Sequence, residues 1–305
     1  MTGNTAAFDL ARYLEAERVE IEAALDRAVS SLPIPGTGSV TDALRYGVGT
    51  GGKRLRPILC ATAYRAVGGL QDPASIYDLA VSIELVHAYS LMHDDLPCMD
   101  DAHLRRGKPT PHRLFGEPAT TLAGAVLIPG AALLGWRAAK ALGLSGDGAR
   151  AVVRELLEAA GAGGMVGGQL LDLLAEDTVL KGPALDDLHA RKTGALLTAS
   201  LRIGALAGGG SEEVVQAFDG YGRSVGLAFQ IADDVLDATS SASALGKVPS
   251  DQEMKKSTYV RLHGVDGARM RAAREIEVAI GALDAVGVAD PALESLARYV
   301  VERDR

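Results

Sequence analysis

Two aspartate-rich patches are the residues of this chain with the clearest potential for chemistry. The first, residues 93–101, reads HDDLPCMDD and carries four carboxylates, at Asp94, Asp95, Asp100 and Asp101. These charges repel one another, and they follow an apolar helical stretch at its carboxyl end, where the helix dipole disfavours negative charge. A bound divalent cation removes this conflict, and an all-oxygen ligand set favours magnesium.

The second patch, residues 230–237, reads QIADDVLD and falls inside a predicted helix. At 100° per residue, Asp233 and Asp237 are about 40° apart, and Gln230 lies about 60° from Asp233 on the same side. Like charges four residues apart destabilise an isolated helix. One acidic patch alone could equally be a solvent-exposed surface with no metal. Two such patches that face each other across a helical protein would hold several metal ions.

Lysine and arginine occur in short clusters beside glycine or threonine. Arginine forks and lysine charges bind phosphate oxygens, so basic clusters near metal-binding carboxylates favour a diphosphate ligand, although any one of them alone would suit a solvated surface. The clusters are Lys53, Arg54 and Arg56; Arg105, Arg106 and Lys108; Lys192; Lys247; and Lys255 and Lys256.

Composition and charge exclude several classes of protein. The 305 residues include 31 Lys and Arg against 39 Asp and Glu, a net charge of −8, so no basic footprint for nucleic acid exists. Two cysteines cannot build a disulfide framework, and residues 8–29 lack the apolar core of a signal peptide. The longest apolar run, residues 122–136, is short and contains Pro129. We therefore expect a cytoplasmic protein with no membrane span.

Long helices must position these side chains. Proline is missing between Pro129 and Pro183 and between Pro183 and Pro249, and both stretches are rich in helix-favouring Ala and Leu. Apolar residues at helical spacing predict helices over 77–92, directly before the first patch, and over 216–236, around the second. No alternating strand of useful length and no hairpin signal is visible. The prediction is one all-α domain over residues 1–305, a bundle of about ten or more helices.

These motifs, in this order, resemble the trans-isoprenyl diphosphate synthases (polyprenyl synthetases) of the short-chain bacterial farnesyl/geranylgeranyl type. The resemblance covers essentially the whole chain. It is carried by GGKRLRP at 51–57, HAYSLMHDD at 87–95, LRRGKPT at 104–110, GGQ at 167–169, KTG at 192–194, FQIADDVLD at 229–237 and RY at 298–299. It implies an all-α bundle around a central cavity, usually a homodimer. It also implies a magnesium-dependent transferase that condenses isopentenyl diphosphate with dimethylallyl or geranyl diphosphate.

The resemblance further implies roles for individual residues. About three magnesium ions, or manganese in their place, would be held by Asp94, Asp95, Asp100, Asp233 and Asp237. The allylic diphosphate would be contacted by Arg105, Lys192 and Lys247. Isopentenyl diphosphate would be held by Lys53, Arg56, His87 and Arg106, with Gly52 and Lys256 also in the substrate site. The carbocation would be lined by Thr193, Phe229 and Gln230, the phenylalanine offering a ring face.

Product length is expected to depend on Tyr89 and Ser90. In the family, bulk about one turn before the first aspartate motif forms the floor of the cavity in which the product grows. An aromatic residue followed by a small one resembles bacterial farnesyl synthases, so we expect fifteen-carbon farnesyl diphosphate. Ala102 and His103, where the family often has further aspartates, resemble some geranylgeranyl synthases, and geranylgeranyl diphosphate is therefore the alternative product.

Three other functions compete with this interpretation. Glu84 and His87 form a Glu-x-x-His motif as in ferritin-like di-metal proteins, but that fold needs two such motifs and the sequence has one. A His-Asp metal phosphohydrolase could use His93 and Asp94, but it leaves the basic clusters unexplained. A non-catalytic regulatory subunit of a prenyl synthase is weakened because both aspartate motifs are intact.

Overall fold

The computed structural model describes residues 8–32, 38–69, 73–175, 180, 182–239 and 258–302. These residues are overwhelmingly helical, which confirms the all-α prediction. The helices are α1 (Leu10–Ser31), α2 (Ser39–Gly49), α3 (Leu55–Ala66), α4 (Pro73–Asp94), α5 (Pro111–Phe115), α6 (Glu117–Ala141), α7 (Gly146–Ala160), α8 (Met165–Leu174), α9 (Gly182–His189), α10 (Ala195–Ala207), α11 (Glu212–Thr239), α12 (Tyr259–Asp284) and α13 (Pro291–Glu302). A π-helix, Ala190–Gly194, joins α9 to α10.

The two helices predicted from periodicity are both present. Helix α4 is buried on nearly every side, and Leu79, Ile83, Leu85 and Val86 have no exposed surface. A helix that is apolar all round belongs in the interior, so α4 runs through the middle of the bundle and ends at the first aspartate patch. Helix α11 packs against α10 and α12 and carries the second patch in its last three turns.

Glycines of α6 allow close contact with α4 and with Leu32, the residue that follows α1. A Cβ atom at Gly124 would lie 2.5 Å from the His93 ring, one at Gly130 2.6 Å from Leu32, and one at Gly135 3.3 Å from the Ser82 hydroxyl. Larger side chains would therefore push these neighbours away. The helix continues through Pro129.

By length and composition, α6 is the one helix among the described residues that could cross a membrane, and 44% of its most apolar 18-residue window is buried. The core helix of a soluble protein passes the same test, so this is weak evidence for a membrane span. The contact with α4 already gives part of the helix an apolar environment.

A minimal hairpin corrects the prediction that the chain has no strand pairing. Residues Leu104–Arg105 (β1) pair antiparallel with Lys108–Pro109 (β2). The two turn residues, Arg106 and Gly107, have φ of 54° and 75°, the left-handed conformation that a two-residue hairpin turn needs. Sequence reasoning missed it because charged residues flank the turn, where β-branched runs would mark a hairpin.

Candidate active site

The first aspartate patch folds back on the end of α4. The helix ends at Asp94, and the backbone N–H of Asp100 donates to the carbonyl of Asp94 at 2.9 Å, while that of Asp101 donates to Leu96 at 3.1 Å. This turn returns Asp100 to the neighbourhood of Asp94. The pKa of Asp94 is raised to about 6, mainly by burial and also by Asp100 and Asp95, while Lys192 and Arg105 oppose the rise. A desolvated carboxylate among other carboxylates is a group that a cation would stabilise.

Asp95 faces a different partner from its neighbour Asp94. Its side chain is 1% exposed, and Arg105 donates to it from Nε at 2.8 and 2.9 Å and from Nη2 at 2.6 Å. Burial raises the pKa of Asp95, and the arginine opposes this. The hairpin is what carries Arg105 back over the patch, close to Asp94 and Asp100 as well. The two residues that the resemblance assigned to metal and to allylic diphosphate thus bind each other.

The π-helix brings the KTG motif to the site. Lys192 Nζ lies 2.5 Å from Asp172 Oδ2 of α8 and is close enough to Asp94 to lower the pKa of that carboxyl. A Cβ atom at Gly226 of α11 would lie 3.1 Å from the Gly194 Cα. The π-helix therefore lies directly against α11, the helix that carries the second aspartate patch.

Asp172 is a site residue that sequence reasoning missed. The signal available was its spacing from Gln169, three residues earlier in α8 and therefore on the same helix face. Both polar atoms of the Gln169 amide are buried without a hydrogen-bond partner in the described part of the chain. A buried amide without a partner is costly, and a ligand in the site would offer it one.

In the second aspartate patch, the adjacent residues Asp233 and Asp234 lie on different faces of α11. Asp233, Asp237, Gln230 and Phe229 are all partly buried on α11. Asp234 is 7% exposed, and its Oδ2 accepts the backbone N–H of Tyr259 at 2.6 Å. The 100° that separates neighbours on a helix makes this divergence unavoidable.

Arg56, Arg106 and His87 form what we call the arginine side of the site. Burial lowers the pKa of Arg56, and the nearby Arg106 lowers it further. The pKa of Arg106 is also lowered, by burial first and then by the neighbouring arginines. His87 has a pKa well below its usual value, because of burial and the surrounding arginines. Since Glu84 only partly offsets these charges, the group fits a bound anion.

Two further observations define the arginine side. Arg56 Nε is buried and has no hydrogen-bond partner among the described residues. Arg106 Nη1 donates to the Gly51 carbonyl, and a Cβ atom at Gly52 would lie 2.6 Å from that nitrogen. Gly52 also has φ of 149°, a conformation that favours glycine. Lys53, at the entrance to α3, is exposed.

Arg54, in the middle of the same basic cluster, is a structural residue. Its guanidinium is 3% exposed and donates to Glu84 at 2.9 Å, to Glu22 at 2.8 and 3.3 Å, and to the Val48 carbonyl at 3.0 Å. These partners raise its pKa, although burial opposes them. Within this basic cluster, Arg54 therefore holds α1, α2 and α4 together, while Arg56 belongs to the arginine side.

The residues predicted to set product length lie where α4 meets α6. The Tyr89 and His93 rings contact edge-on, with centroids 4.5 Å apart. His93 Nε2 lies 3.2 Å from the Thr121 carbonyl, and the ring packs over Gly124. The Ser90 hydroxyl donates to the His87 carbonyl at 2.9 Å and so turns back onto its own helix.

Metal-binding groups among the described residues do not form a complete cage. No three His, Cys, Asp or Glu side chains there are close enough to hold one ion together. Magnesium is usually bound by one or two carboxylates together with substrate phosphates and water, and the oxygen donors at Asp94 and Asp100 fit that pattern. We call Asp94, Asp100, Asp233 and Asp237 the aspartate side of the site. Two predicted site residues, Lys247 and Lys256, lie outside the described residues.

Comparison with known proteins identifies the family to which the chain is similar. The polyprenyl synthetase family model matches residues 38–294. The chain is 41% identical over 270 residues to geranylgeranyl pyrophosphate synthase 9, chloroplastic, of Arabidopsis thaliana, covering 87% of this chain and 73% of that protein. It is 39% identical over 300 residues to a dimethylallyltranstransferase of Fischerella ambigua, covering 98% and 85%.

A solved structure gives the same answer for the fold. The FPP/GFPP synthase of Zymomonas mobilis superposes with a TM-score of 0.78 at 32% identity, covering 96% of this chain and 100% of that one. The match in sequence, fold and motif order means that the chain belongs to the polyprenyl synthetase family and is a prenyltransferase of the trans-isoprenyl diphosphate synthase type.

Proposed function

We propose that the protein is a magnesium-dependent farnesyl diphosphate synthase, which condenses isopentenyl diphosphate with dimethylallyl and then geranyl diphosphate. The observation that carries this proposal is the pair of oppositely charged sides around the end of α4. On the aspartate side burial raises the pKa of a carboxyl, and on the arginine side it lowers the pKa of two guanidiniums. Two diphosphates with metal ions would supply the opposite charge to both.

The aspartate side would bind the allylic diphosphate through metal ions. Asp94, Asp100 and Asp233 would each contribute carboxylate oxygens to about three magnesium ions, with Asp237 close by. Bound magnesium neutralises the leaving diphosphate as its C–O bond breaks. Lys192, held by Asp172 at 2.5 Å, would donate to the same phosphate oxygens.

Arg105 would also donate hydrogen bonds to the allylic diphosphate, and its guanidinium is already oriented by Asp95. Asp95 binds its Nε and Nη2, and Nη1 is not part of that pair. The carboxylate thus fixes the plane of the guanidinium, which presents its remaining donors in a defined direction. In this proposal Asp95 acts on the diphosphate through Arg105 and stands beside the metal ligands without being one.

The arginine side would hold the diphosphate of isopentenyl diphosphate. Arg56 and Arg106 have planar guanidiniums that can donate hydrogen bonds to phosphate oxygens. Lys53, which precedes α3, would add a third cation. His87 has a lowered pKa, so it enters as a neutral imidazole that donates one hydrogen bond. Gly52 leaves the room that the Arg106 guanidinium occupies. Lys247 and Lys256 would add further cations.

Condensation then needs an environment that tolerates an allylic cation. When the C–O bond breaks, the electron pair leaves with the diphosphate, and the double bond of isopentenyl diphosphate attacks the cation to form the new C–C bond. The departed diphosphate accepts the proton that restores a double bond. Gln230 and Thr193 would turn oxygen atoms toward the cation, and Phe229 would offer a ring face.

The fifteen-carbon product is supported by the packing of Tyr89. Its ring is backed by His93, which in turn rests on α6 at Gly124, so the aromatic floor has support behind it. A geranylgeranyl product is the second candidate, because several of the similar proteins are geranylgeranyl synthases by name. The two candidates share chemistry and differ only in the number of condensations.

Purified protein incubated with isopentenyl diphosphate, dimethylallyl diphosphate and magnesium tests both levels of the proposal. We expect farnesyl diphosphate as the main product by chromatography of the dephosphorylated alcohols. No prenyl diphosphate longer than the starter would overturn the synthase function. A mainly twenty-carbon product would overturn only the chain length. Chelator should abolish product, and excess magnesium should restore it.

We further propose that the enzyme is a cytoplasmic homodimer. Exposed leucines on α6 and α8 support a second copy as the partner, because exposed apolar patches mark interaction surfaces. These leucines are Leu122, Leu133, Leu170 and Leu174. Sedimentation of the purified protein measures the state directly, and a monomer at micromolar concentration would contradict it.

A further inference from the structure

The second aspartate patch contains adjacent carboxylates with different surroundings. Asp233 shares a helix face with Asp237 and Gln230, whereas Asp234 points about 100° away. Asp234 is 7% exposed, and its Oδ2 accepts the Tyr259 backbone N–H at 2.6 Å in a buried hydrogen bond. Tyr259 is the first residue of α12, where a helix leaves its backbone N–H groups without an internal acceptor.

Tyr259 is also held through its side chain. Its ring has no exposed surface, and its hydroxyl donates to Asp186 Oδ1 of α9. Arg271 of α12 donates to the other oxygen of Asp186 at 2.8 Å, and its guanidinium carbon lies 5.1 Å from the centre of the Tyr259 ring. The ring of His189, at the end of α9, also contacts the Tyr259 ring, and the two ring centroids are 5.6 Å apart.

These contacts connect two elements that carry site residues. Helix α9 runs directly into the π-helix with Lys192 and Thr193, and α11 carries Asp233 and Gln230. Tyr259 bonds to α9 through its hydroxyl and to α11 through its backbone. We propose that Asp234 is a positioning residue that fixes α11 against α9 through Tyr259, and that it does not ligate metal.

The chemistry of the Tyr259 amide sets what Asp234 must supply. A buried N–H left without an acceptor is costly, so position 234 needs an acceptor oxygen at this place. This hydrogen bond does not by itself require a negative charge. A metal ligand such as Asp233 needs the charge as well as the oxygen. Replacement by asparagine, which keeps an oxygen and loses the charge, therefore separates the two roles.

This inference rests on the proposed function, because prenyl transfer is its readout. Wild type, Asp233→Asn, Asp234→Asn and Asp234→Ala are assayed for turnover and for the magnesium concentration at half-maximal rate. We expect Asp234→Asn to keep turnover within about threefold of wild type, and Asp234→Ala to lose on the order of tenfold. Both should keep the wild-type magnesium requirement. Asp233→Asn should lose at least ~100-fold and need more magnesium.

Two results would overturn the positioning role. One is an Asp234→Asn enzyme that loses turnover and demands more magnesium as Asp233→Asn does. The other is an Asp234→Ala enzyme with wild-type turnover. If Asp234→Ala fails to fold, the magnesium requirement of Asp234→Asn decides alone. A wild-type protein without prenyl transfer would instead refute the proposed function, so the two failures are distinguishable.

Discussion

Asp94 on the aspartate side and Arg56 on the arginine side carry opposite charges, and burial disfavours the charged form of each. Burial raises the pKa of Asp94 to about 6 and lowers the pKa of Arg56 and Arg106. Arg54, by contrast, has partners within the protein in Glu84 and Glu22. The difference teaches that a buried charge with close partners, such as Arg54, holds the fold together, whereas buried charges that stay disfavoured in the protein, such as those of Asp94 and Arg56, are suited to ligands.

The largest expected effect concerns Arg54, the buried arginine that has partners within the protein. Glu84→Ala removes one buried partner of Arg54. The side chain of Glu84 is 5% exposed and that of Arg54 is 3% exposed. We expect the free energy of unfolding in urea to fall by about 3 kcal/mol, because a buried charge loses its buried counter-ion and keeps Glu22 as its one acidic partner among the described residues. The matched control is Asp78→Ala, which breaks the exposed pair with Arg27 and should cost less than about 1 kcal/mol. Equal losses in both variants would contradict the distinction.

On the aspartate side, Asp94→Ala and Asp233→Ala should each lower turnover by at least ~100-fold, the scale of losing a group that stabilises charge in the transition state. The measurement is the rate of prenyl diphosphate formation at saturating substrates. Asp101→Asn is the control, since Asp101 is exposed in the same turn and should leave turnover nearly unchanged. Near-normal turnover in either alanine variant would remove that aspartate from the metal ligands.

On the arginine side, Lys53→Ala or Arg56→Ala should weaken isopentenyl diphosphate binding by about 1–3 kcal/mol, the range for a charged hydrogen bond. The affinity for the allylic substrate should change much less, because the aspartate side binds it. Arg18→Ala, at an exposed position of α1, controls for the general loss of positive charge. An equal fall in allylic affinity would mean that the two sides do not divide the substrates.

The smallest effect in energy concerns Tyr89 and Ser90, the uncharged residues where α4 meets α6. Tyr89→Ala should open space next to His93 and shift the product from fifteen toward twenty carbons. Ser90→Ala should change product length less, because the Ser90 hydroxyl donates to its own helix at 2.9 Å. Chromatography of the product alcohols measures both. An unchanged fifteen-carbon product in Tyr89→Ala would show that the floor lies elsewhere.

Local sequence patterns predicted the elements that carry the site. The spacing of apolar residues indicated α4 and α11, and the aspartates were placed at the end of one helix and inside the other. The same periodicity placed Asp233, Asp237 and Gln230 on one face. The prediction failed for the hairpin at 104–109, because its turn conformation depends on Arg106 and Gly107 in a charged segment with no strand signal.

The sequence by itself determined the all-α class, the two acidic patches and the basic clusters, because helix periodicity and residue chemistry are local properties. The tertiary structure alone decided which charges have partners. Arg54 meets Glu84 from 30 residues away, Asp234 meets Tyr259 from 25, and Lys192 meets Asp172 from 20. Such pairs depend on how whole helices pack against each other. Two adjacent aspartates that look alike in sequence can therefore take different roles in the folded protein.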